Sequence, residues 1–159
     1  MKRIRNILIV CTGNTARSPV GKYIGEFYAK KYGADLFFDS AGFLNAFSYM
    51  QPESRKFLDS KGINHLNFNP KIINRSLLER QDLILTMEQS HKEDIIKNFN
   101  NLANIEKKIF TLKEFNGDWD NLDIIDPYYT SRDTYEKVLK IIDQNMEKAV
   151  KRIIELNKS

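Results

Sequence analysis

The sequence predicts an α/β fold in which helices cover both faces of a parallel sheet. Short apolar runs of strand length alternate along the chain with longer segments whose apolar residues recur at helical spacing. Strands that alternate with helices pair in parallel, and the helices form one layer on each side of the sheet. A length of 159 residues with 42% hydrophobic residues suits one core, so we expect a single domain over residues 1–159.

Four strands and four helices are predicted in alternation. The strands are expected at residues 5–10, 36–38, 82–87 and 108–112, and the helices at residues 19–32, 52–61, 89–99 and 131–157. Ser18 is the predicted N-cap of the first helix, because Pro19 then occupies the first helical position. Gly62 is expected to end the second helix. Residues 116–130 are predicted to form a loop before the last helix.

Composition disfavours several classes of protein. The net charge of +4 is modest and the lysines are scattered, so we expect no nucleic-acid partner. One cysteine and two histidines cannot form a disulfide framework or a zinc cluster, and we expect neither a metal nor a cofactor. His65 and His91 lie in polar surroundings and are predicted to be surface residues.

The charged start of the chain is followed by only four consecutive apolar residues. A run of this length is too short for the core of a signal peptide, and no other run approaches the length of a membrane span. We therefore expect a cytoplasmic protein without membrane association.

The segment from Cys11 to Pro19 is the candidate functional motif. Cys11 directly follows the first predicted strand, at the edge where parallel sheets bind ligands, and Arg17 follows with five residues between them. A loop of this length before a helix can curl its backbone amides around one phosphate. The Cys11 thiolate would then lie beneath the phosphorus, and the planar Arg17 guanidinium would bind two phosphate oxygens. The pattern predicts phosphate-ester hydrolysis through a phosphocysteine.

The other loop residues are expected to surround the phosphate or support the loop; they are Thr12, Gly13, Asn14, Thr15, Ala16 and Ser18. Gly13 is predicted to supply a positive φ, and Asn14 tolerates one as well. The Asn14 side chain is expected to lock the loop by a hydrogen bond to Ser40. The Ser18 hydroxyl is expected to donate to the Cys11 sulfur, which helps the sulfur leave in the second step.

A two-step mechanism also needs an acid for the leaving oxygen and then a base for the attacking water, and one carboxylate can perform both tasks. Asp126 is the predicted residue, because the apolar pair Ile124–Ile125 would hold it and Pro127 would stiffen the loop behind it. Three neighbouring carboxylates are expected to be solvated loop charges; they are Asp118, Asp120 and Asp123.

Four segments together resemble the low-molecular-weight protein tyrosine phosphatases. They are the loop at residues 11–19, Asp-Ser-Ala-Gly at 39–42, Asp-Leu-Ile-Leu-Thr-Met at 82–87 and Asp-Pro-Tyr-Tyr at 126–129. The resemblance implies a three-layer α/β/α fold with strand order 2-1-3-4, a phosphate-binding loop after strand 1, and no metal. It also implies Cys11 as nucleophile, Arg17 as phosphate ligand and Asp126 as acid. Phosphorylated proteins would be substrates, inorganic phosphate or other oxyanions would occupy the loop, and we expect a monomer.

Two positions depart from the family pattern. Ala16 replaces a second cysteine that usually precedes the loop arginine and can form a reversible disulfide with the nucleophile. We therefore expect peroxide to oxidise Cys11 with no internal cysteine to resolve the product. Counting also places Ala46 where an aromatic residue usually lines the pocket, and Phe47 is our candidate for that wall, with Phe43 and Tyr49 as alternatives.

The sequence contains conflicting indications about the phosphorylated side chain. Tyr128 and Tyr129 would form an aromatic flank suited to a phenyl ring, which favours phosphotyrosine. Thr15 instead resembles the related bacterial protein-arginine phosphatases, which carry Thr-Gly-Asn-Thr in this loop, and residues 110–115 resemble the same branch. Phosphotyrosine is the first prediction and phosphoarginine the alternative.

Two other functions are compatible with a phosphate-binding loop on this fold. An arsenate reductase needs two further cysteines to relay a disulfide, and this chain has only Cys11. A non-catalytic phosphopeptide-binding module would be expected to lack the cysteine, the arginine or the aspartate, whereas all three residues are present. Both alternatives are less favoured than a phosphatase.

Overall fold

The computed structural model describes residues 2–158 and contains a four-stranded sheet. The strands are β1 (Asn6–Val10), β2 (Phe37–Ala41), β3 (Leu83–Thr86) and β4 (Ile109–Thr111). Their order is β2-β1-β3-β4 and every neighbouring pair is parallel, which confirms the predicted topology. Only β2 differs clearly from its predicted range, since it extends to Ala41 by pairing with Val10 of β1.

Four helices correspond to the predicted ones. They are α1 (Ser18–Lys31), α2 (Pro52–Ser60), α4 (Gln89–Asn98) and α7 (Arg132–Lys158). Gly62 has a φ of +70° just beyond α2, as a helix-ending glycine should. No helix within residues 2–158 has the length and apolar character needed to cross a membrane.

Three short helices were not predicted; they are α3 (Arg75–Glu79), α5 (Ile105–Lys108) and α6 (Leu112–Phe115). Helices of four or five residues are too short to show an apolar period. Two of them are stabilised at their start instead, because Asn74 accepts from the Leu77 amide and Thr111 forms a capping box with Glu114.

The two faces of the sheet belong to separate apolar cores, as expected for a three-layer fold. Along β1, Ile7 and Ile9 point to a core shared with α1 and α7, whereas Leu8 and Val10 point to a core shared with α3 and α4. All four side chains are fully buried. Because both faces of β1 are covered, its sequence is continuously apolar rather than alternating.

Two predictions for the segment between β1 and α1 are wrong. Helix α1 begins at Ser18, Arg17 is its N-cap, and no side chain caps this end. Gly13 does not have the predicted positive φ, which among the described loop residues 11–17 occurs at Asn14 with a φ of 55°. Asn tolerates this left-handed backbone conformation better than most residues, because its short amide side chain can form local hydrogen bonds.

Candidate active site

The loop after β1 begins at the carboxyl edge of the sheet and leads directly into α1. The Cys11 amide extends the pairing with β2 by donating to the Ala41 carbonyl at 3.3 Å. From there the chain turns and enters α1 at Ser18, so the N-terminal end of that helix adjoins the loop. Backbone amides at a helix start favour a bound anion.

The sulfur of Cys11 is buried and lies within reach of two donors. Ser18 Oγ is 3.0 Å from Cys11 Sγ, and the Ser18 amide donates to the same sulfur at 3.4 Å. Ser18 Oγ also accepts a hydrogen bond from Asn14 Nδ2 at 2.8 Å, so the hydroxyl hydrogen is free to point at the sulfur. Both the hydroxyl and the amide of Ser18 are thus placed to donate to the sulfur.

Asn14 is fully buried and connects the loop to a distant segment. Its Oδ1 accepts a hydrogen bond from the Lys71 amide at 3.0 Å, while its Nδ2 donates to Ser18. The predicted bond to Ser40 is therefore wrong, and among residues 2–158 the buried Ser40 hydroxyl has no hydrogen-bond partner. The reason is the pairing of Gly42 with Ile72, which brings the Lys71 backbone beside Asn14.

The segment after β2 lies directly against the loop, and two glycines permit the contact. A Cβ atom on Gly42 would lie 2.7 Å from the Asn14 nitrogen and from the Thr12 oxygen. A Cβ atom on Gly13 would lie 2.8 Å from the Ala46 side chain. Gly13 is therefore required for close approach and not for a positive φ.

Two carbonyls of the loop are bound by α2. The Gln51 amide donates to the Thr15 carbonyl at 2.8 Å, and Ser54 Oγ donates to the Ala16 carbonyl at 2.8 Å. Tyr135 of α7 lies 2.7 Å from the same Ser54 oxygen. In a trans peptide the next amide points away from its carbonyl, so these contacts direct the Ala16 and Arg17 amides away from α2.

The guanidinium of Arg17 is only 1% exposed and is held by three acceptors. Its Nη1 donates to Glu88 Oε2 at 2.5 Å and to the Ile124 carbonyl at 2.6 Å. Its Nη2 donates to Thr12 Oγ1 at 3.2 Å and lies 3.9 Å from Asp126 Oδ2. Its Nε is buried and, within residues 2–158, has no hydrogen-bond partner. An anion in the adjoining cavity would provide that partner.

A cavity of about 140 Å³ joins these groups, and its walls come from the loop, the segment after β2 and the loop before α7. The lining residues are Cys11, Thr12, Gly13, Thr15, Ala16, Arg17, Ala46, Phe47, Asp126 and Tyr128. Asp126 Oδ1 accepts from the Tyr128 amide at 3.1 Å, which fixes the carboxylate at the start of a tight turn. The structure thus brings Asp126 to the same cavity as Cys11.

Of the three predicted wall residues, two line the cavity. Phe47 and Tyr128 face each other with ring centroids 5.3 Å apart. Tyr129 does not line it, because its side chain is 93% exposed and its backbone has a φ of 68° that turns it outward. Its ring contacts the edge of Tyr128 at 4.1 Å.

Glu88 contacts Arg17 although it was not among the predicted site residues, and the prediction that His91 is a surface residue is wrong. His91 is 5% exposed, and its Nε2 lies 3.0 Å from Thr12 Oγ1. Burial, and then the positive charge of Arg17, lowers the pKa of His91. His65, in contrast, lies away from the cavity and bonds to Asp59. The positions of Glu88 and His91 in the sequence could have indicated a place near the loop. Both residues follow β3, and the carboxyl end of β3 lies beside that of β1.

Known proteins similar to this chain are phosphatases. A protein-arginine-phosphatase of Bacillus subtilis is 30% identical over 149 residues, covering 93% of this chain and 96% of the relative. The low molecular weight protein-tyrosine-phosphatase Wzb of Escherichia coli K12 is 30% identical over 143 residues, covering 88% and 89%. A family model described as low molecular weight phosphotyrosine protein phosphatase matches residues 6–159. The chain belongs to this family.

Solved structures of family members have the same fold. The low molecular weight protein tyrosine phosphatase of T. tengcongensis has a TM-score of 0.83 at 31% identity, covering 92% of this chain and 98% of that protein. A variant of the YwlE arginine phosphatase with a phosphorylated active-site serine has a TM-score of 0.87 at 28% identity, covering 96% and 98%. As a member of the low molecular weight phosphatase family, this protein is a phosphatase.

Proposed function

We propose that this phosphatase hydrolyses phosphorylated side chains of proteins through a phosphocysteine on Cys11. One observation carries the proposal: a buried sulfur with two donors, a buried guanidinium with an unpaired Nε and a carboxylate share one small cavity. The YwlE variant with a phosphorylated active-site serine supports it, because that phosphoryl group sits on the residue that the phosphatase uses at its active site.

In the first step the Cys11 thiolate attacks phosphorus, forming the S–P bond while the bond from phosphorus to the leaving atom breaks. Asp126 donates a proton to the leaving atom. The amides of the loop and Arg17 Nε bind the equatorial oxygens, where negative charge accumulates in the transition state. Arg17 binds Glu88 and Ile124 through Nη1 and Thr12 through one hydrogen of Nη2, so Nε and the second Nη2 hydrogen remain available to the phosphoryl group.

In the second step Asp126, now a carboxylate, takes a proton from water as the water attacks phosphorus. The O–P bond forms, the S–P bond breaks and inorganic phosphate leaves. Ser18 donates its hydroxyl hydrogen to the departing sulfur, and Asn14 fixes the direction of that hydroxyl. The cycle needs no other reactant than water.

Phosphotyrosine is the proposed substrate class. Phe47 and Tyr128 present two aromatic rings at the cavity wall, tilted by 49° with centroids 5.3 Å apart, and such a wall suits a phenyl group. Several relatives at 29–31% identity carry names of protein-tyrosine-phosphatases, including PtpB of Staphylococcus haemolyticus.

Phosphoarginine is the second candidate, and Thr15 is the observation that favours it. Thr15 lines the cavity and places a hydroxyl-bearing side chain where an apolar one would suit a phenyl ring better. The arginine phosphatase of Bacillus subtilis has the same 30% identity as the Escherichia coli tyrosine phosphatase, so identity does not favour either substrate.

Turnover of p-nitrophenyl phosphate without added metal tests the proposed mechanism. We expect Cys11→Ser to abolish turnover, and Asp126→Ala to lower kcat by roughly 100- to 10,000-fold because the leaving group loses its proton donor. Asp118→Ala, in the exposed part of the same loop, is the matched control and should retain wild-type kcat. Activity that survives in Cys11→Ser would contradict the proposal.

The preferred side chain is tested by kcat/KM on phosphotyrosine and phosphoarginine peptides of one sequence. We expect the wild type to prefer phosphotyrosine, and Thr15→Ile to increase that preference by adding apolar surface to the wall. A wild-type preference for phosphoarginine that Thr15→Ile abolishes would establish the second candidate instead. Thr15→Ser, which keeps the hydroxyl, is the control for general effects at this position.

A further inference from the structure

His91 occupies a place in the site that the proposed mechanism does not use. It lies in the first turn of α4, is buried, and contacts the underside of the phosphate loop through Thr12 Oγ1 at 3.0 Å. The Phe43 ring packs against it with centroids 5.3 Å apart. Within residues 2–158 the hydrogen bond of its Nε2 is made with Thr12, Glu88 Oε2 lies 3.8 Å from the same nitrogen, and the buried Nδ1 has no hydrogen-bond partner.

Thr12 Oγ1 lies between His91 and Arg17. Arg17 Nη2 donates to this oxygen at 3.2 Å, while His91 Nε2 is 3.0 Å from it on another side. Either tautomer of the neutral ring completes the contact: the hydroxyl can donate to Nε2, or Nε2–H can donate to the hydroxyl. Both arrangements hold the Thr12 oxygen where Arg17 binds it.

The contact at Nη2 decides the orientation of the guanidinium. Glu88 and the Ile124 carbonyl both bind Nη1, so they hold one corner of the planar group. The Thr12 hydroxyl holds the opposite corner at Nη2 and resists rotation of the group within its plane. With both Nη atoms held, Nε remains the unpaired donor beside the cavity.

We propose that His91 is a positioning residue: through the Thr12 hydroxyl it orients the Arg17 guanidinium for the phosphoryl group. The proposal rests on the proposed function, in which Arg17 binds that group. It extends the site to α4, and it assigns the Thr12 side chain a role besides that of the Thr12 amide. Arg17 interacts most strongly with the transition state, so misorientation should appear chiefly in kcat.

Two substitutions of similar size separate hydrogen bonding from packing. His91→Gln can place an amide nitrogen or oxygen near the position of Nε2, whereas His91→Leu fills the site without a polar atom. We expect His91→Leu to lower kcat for p-nitrophenyl phosphate by about tenfold, with KM changed less than threefold, and His91→Gln to restore most of the loss. His65→Leu, outside the cavity, is the matched control and should retain wild-type kcat.

A double-mutant cycle tests whether His91 acts through Thr12. Thr12→Val removes the hydroxyl and keeps the shape, so we expect His91→Leu to lower kcat by less than twofold in the Thr12→Val background. Multiplicative losses in the double variant would overturn the proposal. An unchanged kcat in His91→Leu with only a lower Tm would show that His91 merely packs, and would also overturn it.

Phosphate binding keeps this test independent of turnover. Calorimetric titration with inorganic phosphate should give a Kd for His91→Leu about two- to threefold higher than for the wild type and for His91→Gln, in line with the small change expected in KM. Equal Kd values would contradict the proposal even if the enzyme proved inactive. Absence of wild-type turnover together with the expected Kd changes would instead refute the proposed function alone. If His91→Leu fails to fold, Thr12→Val should raise the Kd for phosphate in the same way.

Discussion

Cys11 is the only cysteine in the chain, and in the proposed mechanism it is the nucleophile. The Ser18 hydroxyl and amide both point at Sγ, and Asn14 supplies the hydrogen bond that directs the hydroxyl. Ala16, which lines the same cavity, carries no sulfur that could trap an oxidised Cys11. The proposed nucleophile therefore has no neighbouring thiol in the chain that could protect it.

Peroxide should inactivate the protein irreversibly. Hydrogen peroxide oxidises the thiolate to a sulfenic acid, and further peroxide oxidises it to sulfinic and sulfonic acids because no thiol in the chain can intercept it. Mass spectrometry of the Cys11 peptide, with activity measured after treatment with dithiothreitol, checks this. Ala16→Cys is the comparison, and we expect it to recover more activity by forming a reducible disulfide. Full recovery of the wild-type thiol would contradict the prediction.

At the scale of elements, α2 and α7 support the phosphate loop through hydrogen bonds of Ser54 and Tyr135. Ser54 has one hydrogen, which it donates to the Ala16 carbonyl, so Tyr135 of α7 must donate to Ser54 Oγ. Burial raises the pKa of Tyr135 to about 12, which keeps its hydroxyl protonated and able to donate. Tyr135 of α7 is thereby linked to the Ala16 carbonyl of the loop through Ser54.

Ser54→Ala should lower both stability and activity. It leaves the Ala16 carbonyl without its partner, which we expect to cost about 1–2 kcal/mol in the free energy of unfolding and to lower kcat/KM several-fold as the loop loosens. Tyr135→Phe should have a smaller effect, because the Ala16 carbonyl keeps its donor. Urea unfolding and p-nitrophenyl phosphate kinetics measure the two effects. Tyr32, just after α1, has an exposed hydroxyl that donates to Glu147, and Tyr32→Phe is the control.

The loss of stability alone would not support this role for α2. If Ser54→Ala unfolds more easily but keeps the wild-type kcat/KM, the serine stabilises the packing of α2 and does not hold the loop. A similar loss of kcat/KM in Tyr32→Phe would also contradict the prediction.

At the scale of the whole molecule, two side chains join the start of the chain to distant elements. Asp82, just before β3, accepts hydrogen bonds from the Arg5 and Asn6 amides at 2.9 Å and pairs with Lys2 at 3.2 Å. Asn157 near the end of α7 binds both the amide and the carbonyl of Ile4 at 2.8 Å. Residues 2–6 are thus fixed to the sheet and to the last helix.

The Asp82 contacts predict a pH-dependent stability. Burial alone would raise the pKa of Asp82, but the Asn6 and Arg5 amides and Lys2 together hold it below its usual value. A carboxyl with a lowered folded-state pKa stabilises the protein above the unfolded-state pKa of about 3.9, and this stability is lost as the pH falls through the folded-state value. Asp82→Asn should therefore be less stable than wild type at pH 7, by about 1–2 kcal/mol.

Urea unfolding at several pH values measures this difference. The difference in the free energy of unfolding between wild type and Asp82→Asn should become smaller as the pH falls below about 4. Asp118→Asn removes an exposed carboxylate, and its free energy of unfolding should equal that of the wild type at each pH. A constant difference at all pH values would show that Asp82 contributes through packing and not through its charge.

The architecture followed from local sequence patterns. Strands β1 and β3 are continuously apolar, the long helices repeat at the helical period, and both features arise between residues close together in the chain. Helices α3, α5 and α6 could not be predicted in this way, because one turn contains too few residues to show a period. Side-chain caps stabilise α3 and α6 instead, and buried apolar residues anchor all three helices.

The sequence by itself also determined the candidate loop and the predicted contact between Ser18 and the Cys11 sulfur, since these residues lie only seven positions apart. Only the tertiary structure decided what holds that loop. The Ala16 carbonyl binds Ser54 38 positions away, Asn14 binds the Lys71 amide 57 positions away, and Thr12 contacts His91 79 positions away. Such contacts depend on which strand ends and helices become neighbours in space, and a pattern read along the chain contains no measure of that distance.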